Sequence, residues 1–277
     1  MSVIKAIFFG LIQGLTEFLP ISSSGHLVIF QYLLGEGNYS ADLIFDSLLH
    51  IGTLLAVFIA FREPISILIL ECFSTIKQLI TGKFQVKNIN KNQQMLFSLF
   101  ISLTPLLLIF PFKNYIEKSY SSILTVGIAL IVTSVVLFIS DKIIDGKTSE
   151  EKITVKQSFF VGIIQAFAII PGISRSGSTI TAGLICGFNR KSAIQYSFLL
   201  SIPTILAGTF FNISEIIING EFDTSVLIPY LAGTVTAAVS GYASLKLLQF
   251  LLKTKKFIIF SIYCLVVGIF SIILGLA

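Results

Sequence analysis

The sequence predicts an all-α polytopic membrane protein built as an inverted-topology repeat, each half a re-entrant helix–loop–helix followed by three transmembrane helices. Three observations predict it: a charge-poor composition, an internal repeat, and basic residues that fall on one side. Of 277 residues, 55% are hydrophobic and 12% charged, with mean hydropathy +0.93. A soluble domain carries about 25% charged residues. The apolar residues also come in runs, and a bilayer span needs roughly 20 of them. Residues 95–112, 123–140 and 257–277 qualify, and 45–61, 193–211 and 226–252 come close.

The elements follow in order. Residues 4–34 begin like a secretory leader, but Gln13, Glu17 and Pro20 interrupt the apolar run and no small-residue cleavage site follows. The segment is therefore read as mature structure. Pro20 and the serines at its centre would leave backbone groups unsatisfied in lipid. Such backbone is tolerated at membrane depth only when buried in protein or lining a wet cavity. A re-entrant helix–loop–helix fits better than two spans. The spans 45–61, 95–112 and 123–140 complete the first half. Residues 159–188 repeat the broken pattern around Pro171 and Gly172, and 193–211, 226–252 and 257–277 complete the second half.

The repeat is legible residue by residue. At a shift of 152, Gly10, Ile12, Gln13, Ile21, Ser22, Ser24 and Gly25 fall on Gly162, Ile164, Gln165, Ile173, Ser174, Ser176 and Gly177. At a shift of 151, LLHIGTLLA (48–56) falls on LLSIPTILA (199–207). The halves, about 1–141 and 153–277, form one membrane domain, 1–277. Three spans per half is odd, so the second half enters from the opposite side and the two serine-rich tips meet near the midplane. Segments 62–94, 141–157, 187–192 and 246–256 hold 15 of the 19 Lys and Arg. Lys5, Lys113 and Lys118 fall opposite, where residues 212–224 carry Glu215, Glu221 and Asp223. The positive-inside rule then gives six spans with both termini outside. The net charge of +5 is read as topology, and nucleic acid is not expected as a partner. Cys72, Cys186 and Cys264 have no metal-ligand spacing and read as small buried residues.

The broken segments carry the chemistry. Gln13 and Glu17, four apart, share a helix face. Pro20 stops that helix, and Ser22, Ser23 and Ser24 offer N-caps for the next, near Gly25 and His26. The second tip reads PGISRSGST: Ser174 or Ser176 caps, Arg175 projects, and Thr179 follows. Helix N-termini with free N–H groups and hydroxyls bind anions. The tips together bring a carboxylate, an amide, hydroxyls, an imidazole and a guanidinium, a set suited to phosphate. Duller readings exist: Glu17 as a structural hydrogen-bonding group, His26 as a capping histidine, the serines as caps or helix packing. Ionisable groups inside a membrane are expensive, which favours function for Glu17 and Arg175. His50, opposite Ser201 in the repeat, reads as packing. Asp46 and Asp42 lie near the span entrance, and Arg62, Lys253, Lys255 and Lys256 read as topological charges.

At these residues the chain resembles the undecaprenyl-diphosphate phosphatase family, the bacitracin resistance proteins. The family's Glu/Gln-x-x-x-Glu motif matches Gln13 and Glu17. Its Ser-Ser-x-Gly-His stretch matches Ser22, Ser23, Gly25 and His26, and its Pro-Gly-x-Ser-Arg-Ser-x-x-Thr string matches Pro171, Gly172, Ser174, Arg175, Ser176 and Thr179. The resemblance implies a hydrolase of the C55 lipid diphosphate that recycles the carrier for cell-wall synthesis and gives bacitracin resistance. It implies a divalent cation, Mg²⁺ or Ca²⁺, and a site open to the periplasmic face of the bacterial cytoplasmic membrane. Glu17, Ser23, His26 and Arg175 are the expected catalytic residues. Gln13, Ser22, Ser24, Ser174, Ser176 and Thr179 are the expected substrate contacts. Glu17 and Gln13 are the expected metal ligands, though Gln13, where many members have Glu, removes one carboxylate. The expected partners are a polyprenyl diphosphate lipid and the bilayer, with a homodimer left as an open option.

On this reading Arg175 clamps the terminal phosphoryl group. The attacking oxygen is either water or Ser23, and His26 is its proton acceptor, with an ordinary pKa near 6.5. A transporter of polyprenyl phosphates or anions is the main rival, since inverted repeats with broken helices are the usual transporter plan. The rival lacks a reason for a proton acceptor beside a hydroxyl. Membrane phosphatases with a histidine nucleophile need a histidine after the Ser-Arg pair, and none follows Arg175.

Overall fold

The computed structural model describes residues 1–35, 43–109, 122–149, 152–219, 226–252 and 257–276. Asp42, Lys113, Lys118, Glu221, Asp223, Lys253, Lys255 and Lys256 lie outside the described residues. Among the described residues the chain is eleven α-helices, a short 3-10 helix at Val86–Asn88 and one isolated bridge, Thr148–Phe188. The α-helices are α1 (Val3–Phe18), α2 (Ser23–Leu33), α3 (Leu43–Ala60), α4 (Arg62–Ile80), α5 (Lys91–Ile109), α6 (Ile123–Lys142), α7 (Val155–Phe167), α8 (Arg175–Ile185), α9 (Arg190–Asn219), α10 (Leu227–Leu252) and α11 (Phe257–Leu276). The expected all-α polytopic membrane fold is borne out. Helices α5, α6, α9, α10 and α11 are each long and apolar enough to cross a membrane. On α11 the outward face exposes Ile262, Val266, Phe270 and Ile273, as a lipid-facing helix should.

Both expected broken segments are helix–break–helix units. The first, α1–α2, breaks at Pro20, and Ser22 caps α2 by accepting the Gly25 N–H at 3.4 Å. The second, α7–α8, breaks around Pro171 and Gly172, and Ser174 accepts the Gly177 N–H at 3.1 Å. The irregular backbone is buried against protein and partnered. Thr133 on α6 donates to Gly172 O (2.8 Å) and accepts from Ser174 N–H (3.0 Å). The breaks also touch each other: a Cβ on Gly25 would lie 3.0 Å from Gly172 Cα, and one on Gly177 3.3 Å from Pro20 Cβ.

The long helices clasp the broken ones. α1 packs along α10, and α7 along α5. Both seams depend on glycine at one position of the 152-residue register. A Cβ on Gly10 would sit 2.3 Å from Gly233 O, and one on Gly162 2.4 Å from Ser102 O. Hydroxyls close the seams, Ser244 donating to Gly14 O and Ser102 to Ser158 O, both at 2.7 Å. α6 and α11 cross with reciprocal bonds, Ser134 Oγ to Ser261 O (2.7 Å) and Ser261 Oγ to Ser134 O (2.8 Å). Small residues that let backbones approach are the usual cement of membrane helices.

One element departs from expectation. Residues 62–94 read as a basic cytoplasmic segment, yet Arg62–Ile80 is helical and turns 94° from α3. Pro64 in its first turn has no N–H to bond Ala60 O, so the helix restarts instead of continuing. Leu70, Phe73 and Ile80 are among its exposed residues.

Candidate functional site

The site forms where the two breaks meet. Gln13 and Glu17 sit one turn apart on α1, both buried, with Gln13 Nε2 donating to Glu17 Oε2 at 3.1 Å. Ser23, the first residue of α2, donates to the same oxygen at 2.6 Å. Arg175, the first residue of α8, donates from Nη2 to the other oxygen, Oε1, also at 2.6 Å. Glu17 thus receives a hydroxyl from one tip and a guanidinium from the other. Arg175 Nη1 and Gln13 Oε1 remain buried without a partner among the described residues. Buried polar atoms almost always find one, so this corner has donor and acceptor capacity left for a ligand.

Backbone adds to it. The caps use the N–H groups of Gly25 and Gly177. Those of Ser23 and Ser24 on α2, and of Arg175 and Ser176 on α8, make no hydrogen bond among the described residues. Free N–H groups at a helix start, with the helix dipole behind them, favour an anion. Ser22 holds φ +72°, the one non-glycine residue with positive φ among those described. Such a conformation costs about 1–3 kcal/mol and collects at functional sites; here it turns the chain so that Ser23 starts α2 facing Glu17.

Glu17, Gln13, Ser23 and Arg175 are therefore brought together. The other expected residues are placed elsewhere. Ser22 and Ser174 are caps, Ser24 lies 3.4 Å from Ser22 Oγ, and Ser176 donates to Leu19 O at 3.3 Å. Thr179 is buried between Arg175 O (2.9 Å) and Ser197 Oγ (2.6 Å). No hydrogen bond among the described residues joins these five hydroxyls to Glu17. His26 turns away as well: Nδ1 lies 2.7 Å from Ser22 O and Nε2 2.8 Å from Tyr263 OH on α11.

His50 on α3, which the sequence assigns to packing, also lies near Glu17. Its Nε2 lies 3.9 Å from Glu17 Oε2, and its Nδ1 2.9 Å from Asp46 O and 3.6 Å from Asp46 Oδ2. An imidazole inside an apolar span was the available signal. Alignment with Ser201 argued the other way.

Fold and site together define a class: a polytopic membrane protein that gathers an ion pair, a hydroxyl and two helix N-termini into a buried corner suited to a phosphate. Within that class the chain belongs to the family of the bacitracin resistance protein BacA, whose model matches residues 6–270. Relatives bearing the name undecaprenyl-diphosphatase match over nearly the full length. The one from Methanosphaera stadtmanae is 38% identical over 279 residues, covering 99% of each chain. That from Halothermothrix orenii is 39% identical over 276 residues, again 99% of each. That from Alkaliphilus metalliredigens is 38% identical over 279 residues, with both chains covered completely.

Proposed function

We propose that this protein is an integral membrane phosphatase that hydrolyses undecaprenyl diphosphate to undecaprenyl phosphate and inorganic phosphate, returning the lipid carrier to cell-wall synthesis and giving bacitracin resistance. Family membership supports the activity. The observation that carries the site is the meeting of Ser23 and Arg175, from separate breaks, on the two oxygens of Glu17.

Arg175 and the free N–H groups of the two helix starts hold the terminal phosphoryl group and take up charge on its equatorial oxygens. Ser23 Oγ attacks the terminal phosphorus, and its proton passes to Glu17 Oε2, which it already contacts. The bond from phosphorus to the bridging oxygen breaks, and the lipid monophosphate leaves with the electron pair and that proton. Water then attacks the phosphoserine, restoring the Ser23 hydroxyl and releasing phosphate. Trapping with labelled substrate tests the covalent route: absence of phosphoserine at every quench time would sink it.

Because Glu17 cancels the charge of Arg175, a diphosphate arriving here brings charge that the pair leaves unbalanced. The oxygen donors present fit a hard divalent cation: the Glu17 carboxylate and the unpartnered Gln13 Oε1, with substrate oxygens completing the shell. Bound there, Mg²⁺ or Ca²⁺ would supply Lewis-acid stabilisation of the phosphoryl oxygens.

The same reading places the two halves as inverted repeats. Support comes from the reciprocal contacts of Gly25 with Gly172 and Gly177 with Pro20 and from the matched seams at Gly10 and Gly162. The segments 62–94, 141–157, 187–192 and 246–256 then face the cytoplasm, with both termini and the site's opening on the outer side of the cytoplasmic membrane.

The deciding experiment is phosphate release from a C55 or C15 prenyl diphosphate by purified protein in detergent, with Mg²⁺ or EDTA, beside Arg175→Ala. Metal-dependent release that is lost in the variant is the expected result. No release from folded wild type overturns the reading.

A further inference from the structure

The chain has two histidines, and their circumstances are opposite. Both ring nitrogens of His26 are engaged, by Ser22 O and Tyr263 OH. His50 commits one. Its Nδ1, 2.9 Å from the Asp46 carbonyl, carries the proton that bonds it, and in the neutral ring Nε2 then presents a lone pair. Nε2 makes no hydrogen bond among the described residues, and Glu17 Oε2 stands 3.9 Å away.

A carboxylate oxygen and an imidazole lone pair are both acceptors, so neither can bond the other. Their separation is too long for a direct hydrogen bond and suits one donor between them. A water giving one proton to each, at about 2.8 Å, would subtend an angle of about 90° at its oxygen, close to the angle of water itself. Glu17 Oε2 is also the oxygen that accepts the Ser23 hydroxyl. A water held there lies beside the atom that the phosphoryl group visits. The His50 side chain is 28% exposed.

We infer that His50 is a positioning residue which, with Glu17, holds and orients the water consumed in hydrolysis. This rests on the phosphatase reading and is independent of whether Ser23 is phosphorylated, since every route consumes one water. The hydrogen-bond acceptor at Nε2 is the working group, and the Nδ1 bond to Asp46 fixes the ring that carries it.

Two substitutions separate this role from a purely structural one. His50→Gln can place an amide oxygen where Nε2 stands. His50→Asn keeps a donor near the Nδ1 position but reaches no further. Steady-state kinetics on a C15 diphosphate should give His50→Gln a kcat within about threefold of wild type, while His50→Asn falls about 100-fold with KM little changed. Added imidazole should restore part of the lost rate to His50→Ala and none to His26→Ala. Equal kcat in the Gln and Asn variants, or a faster Asn variant, overturns the inference, as does failure of imidazole to rescue His50→Ala. Wild type that releases no phosphate overturns the phosphatase reading and this inference with it; an active wild type with indifferent His50 variants overturns this inference alone.

Discussion

Glu17 and Arg175 form a buried ion pair at 2.6 Å, with side chains 6% and 15% exposed. Removing one partner of such a pair strands a charge and costs about 3–5 kcal/mol. Arg175→Ala is therefore expected to lower the unfolding temperature as well as to abolish activity. Arg175→Lys separates the two effects. It keeps the charge beside Glu17 but loses the planar fork, whose Nη2 grips Glu17 while Nη1 stays available. Thermal unfolding in detergent should stay near wild type in Arg175→Lys, with phosphate release still down by about 10³-fold. Glu17, Ser23 and Arg175 were legible in the sequence because polar groups in apolar segments have few uses. His26 sits apart from Glu17 for a local reason. One turn after Ser22 on α2, its ring folds back onto the Ser22 carbonyl and reaches across to Tyr263, and residue order does not reveal such a direction. His50 was hidden because its proximity to Glu17 spans two separate helices.

At the scale of elements, the broken segments and all six long apolar stretches could be read in advance, since periodicity, proline and glycine act locally. The helix Arg62–Ile80 could not: Arg62, Glu63, Glu71 and Lys77 read as part of a solvated connection, and its turn away from α3 depends on Pro64. The seams yield a sharper expectation. Gly10→Val and Gly162→Val should each collapse the yield of folded protein, because a side chain at either place meets backbone of the neighbouring helix. Gly208→Ala, where a Cβ meets nothing within 4 Å, should be silent. Size-exclusion profiles and unfolding midpoints of the three variants measure this. A monodisperse Gly10→Val protein with an unchanged midpoint would show that the α1–α10 seam is looser than its contacts imply.

Small residues between helices pack the described molecule, and the proposed orientation assigns its charges to two faces. With Cys72, Cys186 and Cys264 replaced by serine, single cysteines report the faces. Lys118→Cys should react with a membrane-impermeant maleimide in intact cells, and Lys147→Cys only after permeabilisation. The reverse pattern would invert the orientation and move the site's opening to the cytoplasm. Cys264 is itself buried, so its replacement should be made by the small serine and checked for folding before labelling.

In the 152-residue register Ser23 falls on Arg175, and Glu17 falls on Ile169. The oxygen donor and the phosphate grip are thus two spellings of one address, and the carboxylate between them is written only once. Two identical half-chains facing each other would oppose hydroxyl to hydroxyl or guanidinium to guanidinium, never one to the other. On the proposed mechanism, division of labour between the copies is a condition of the chemistry, and a chimera that repeats either half twice would bring together an inert pair of tips.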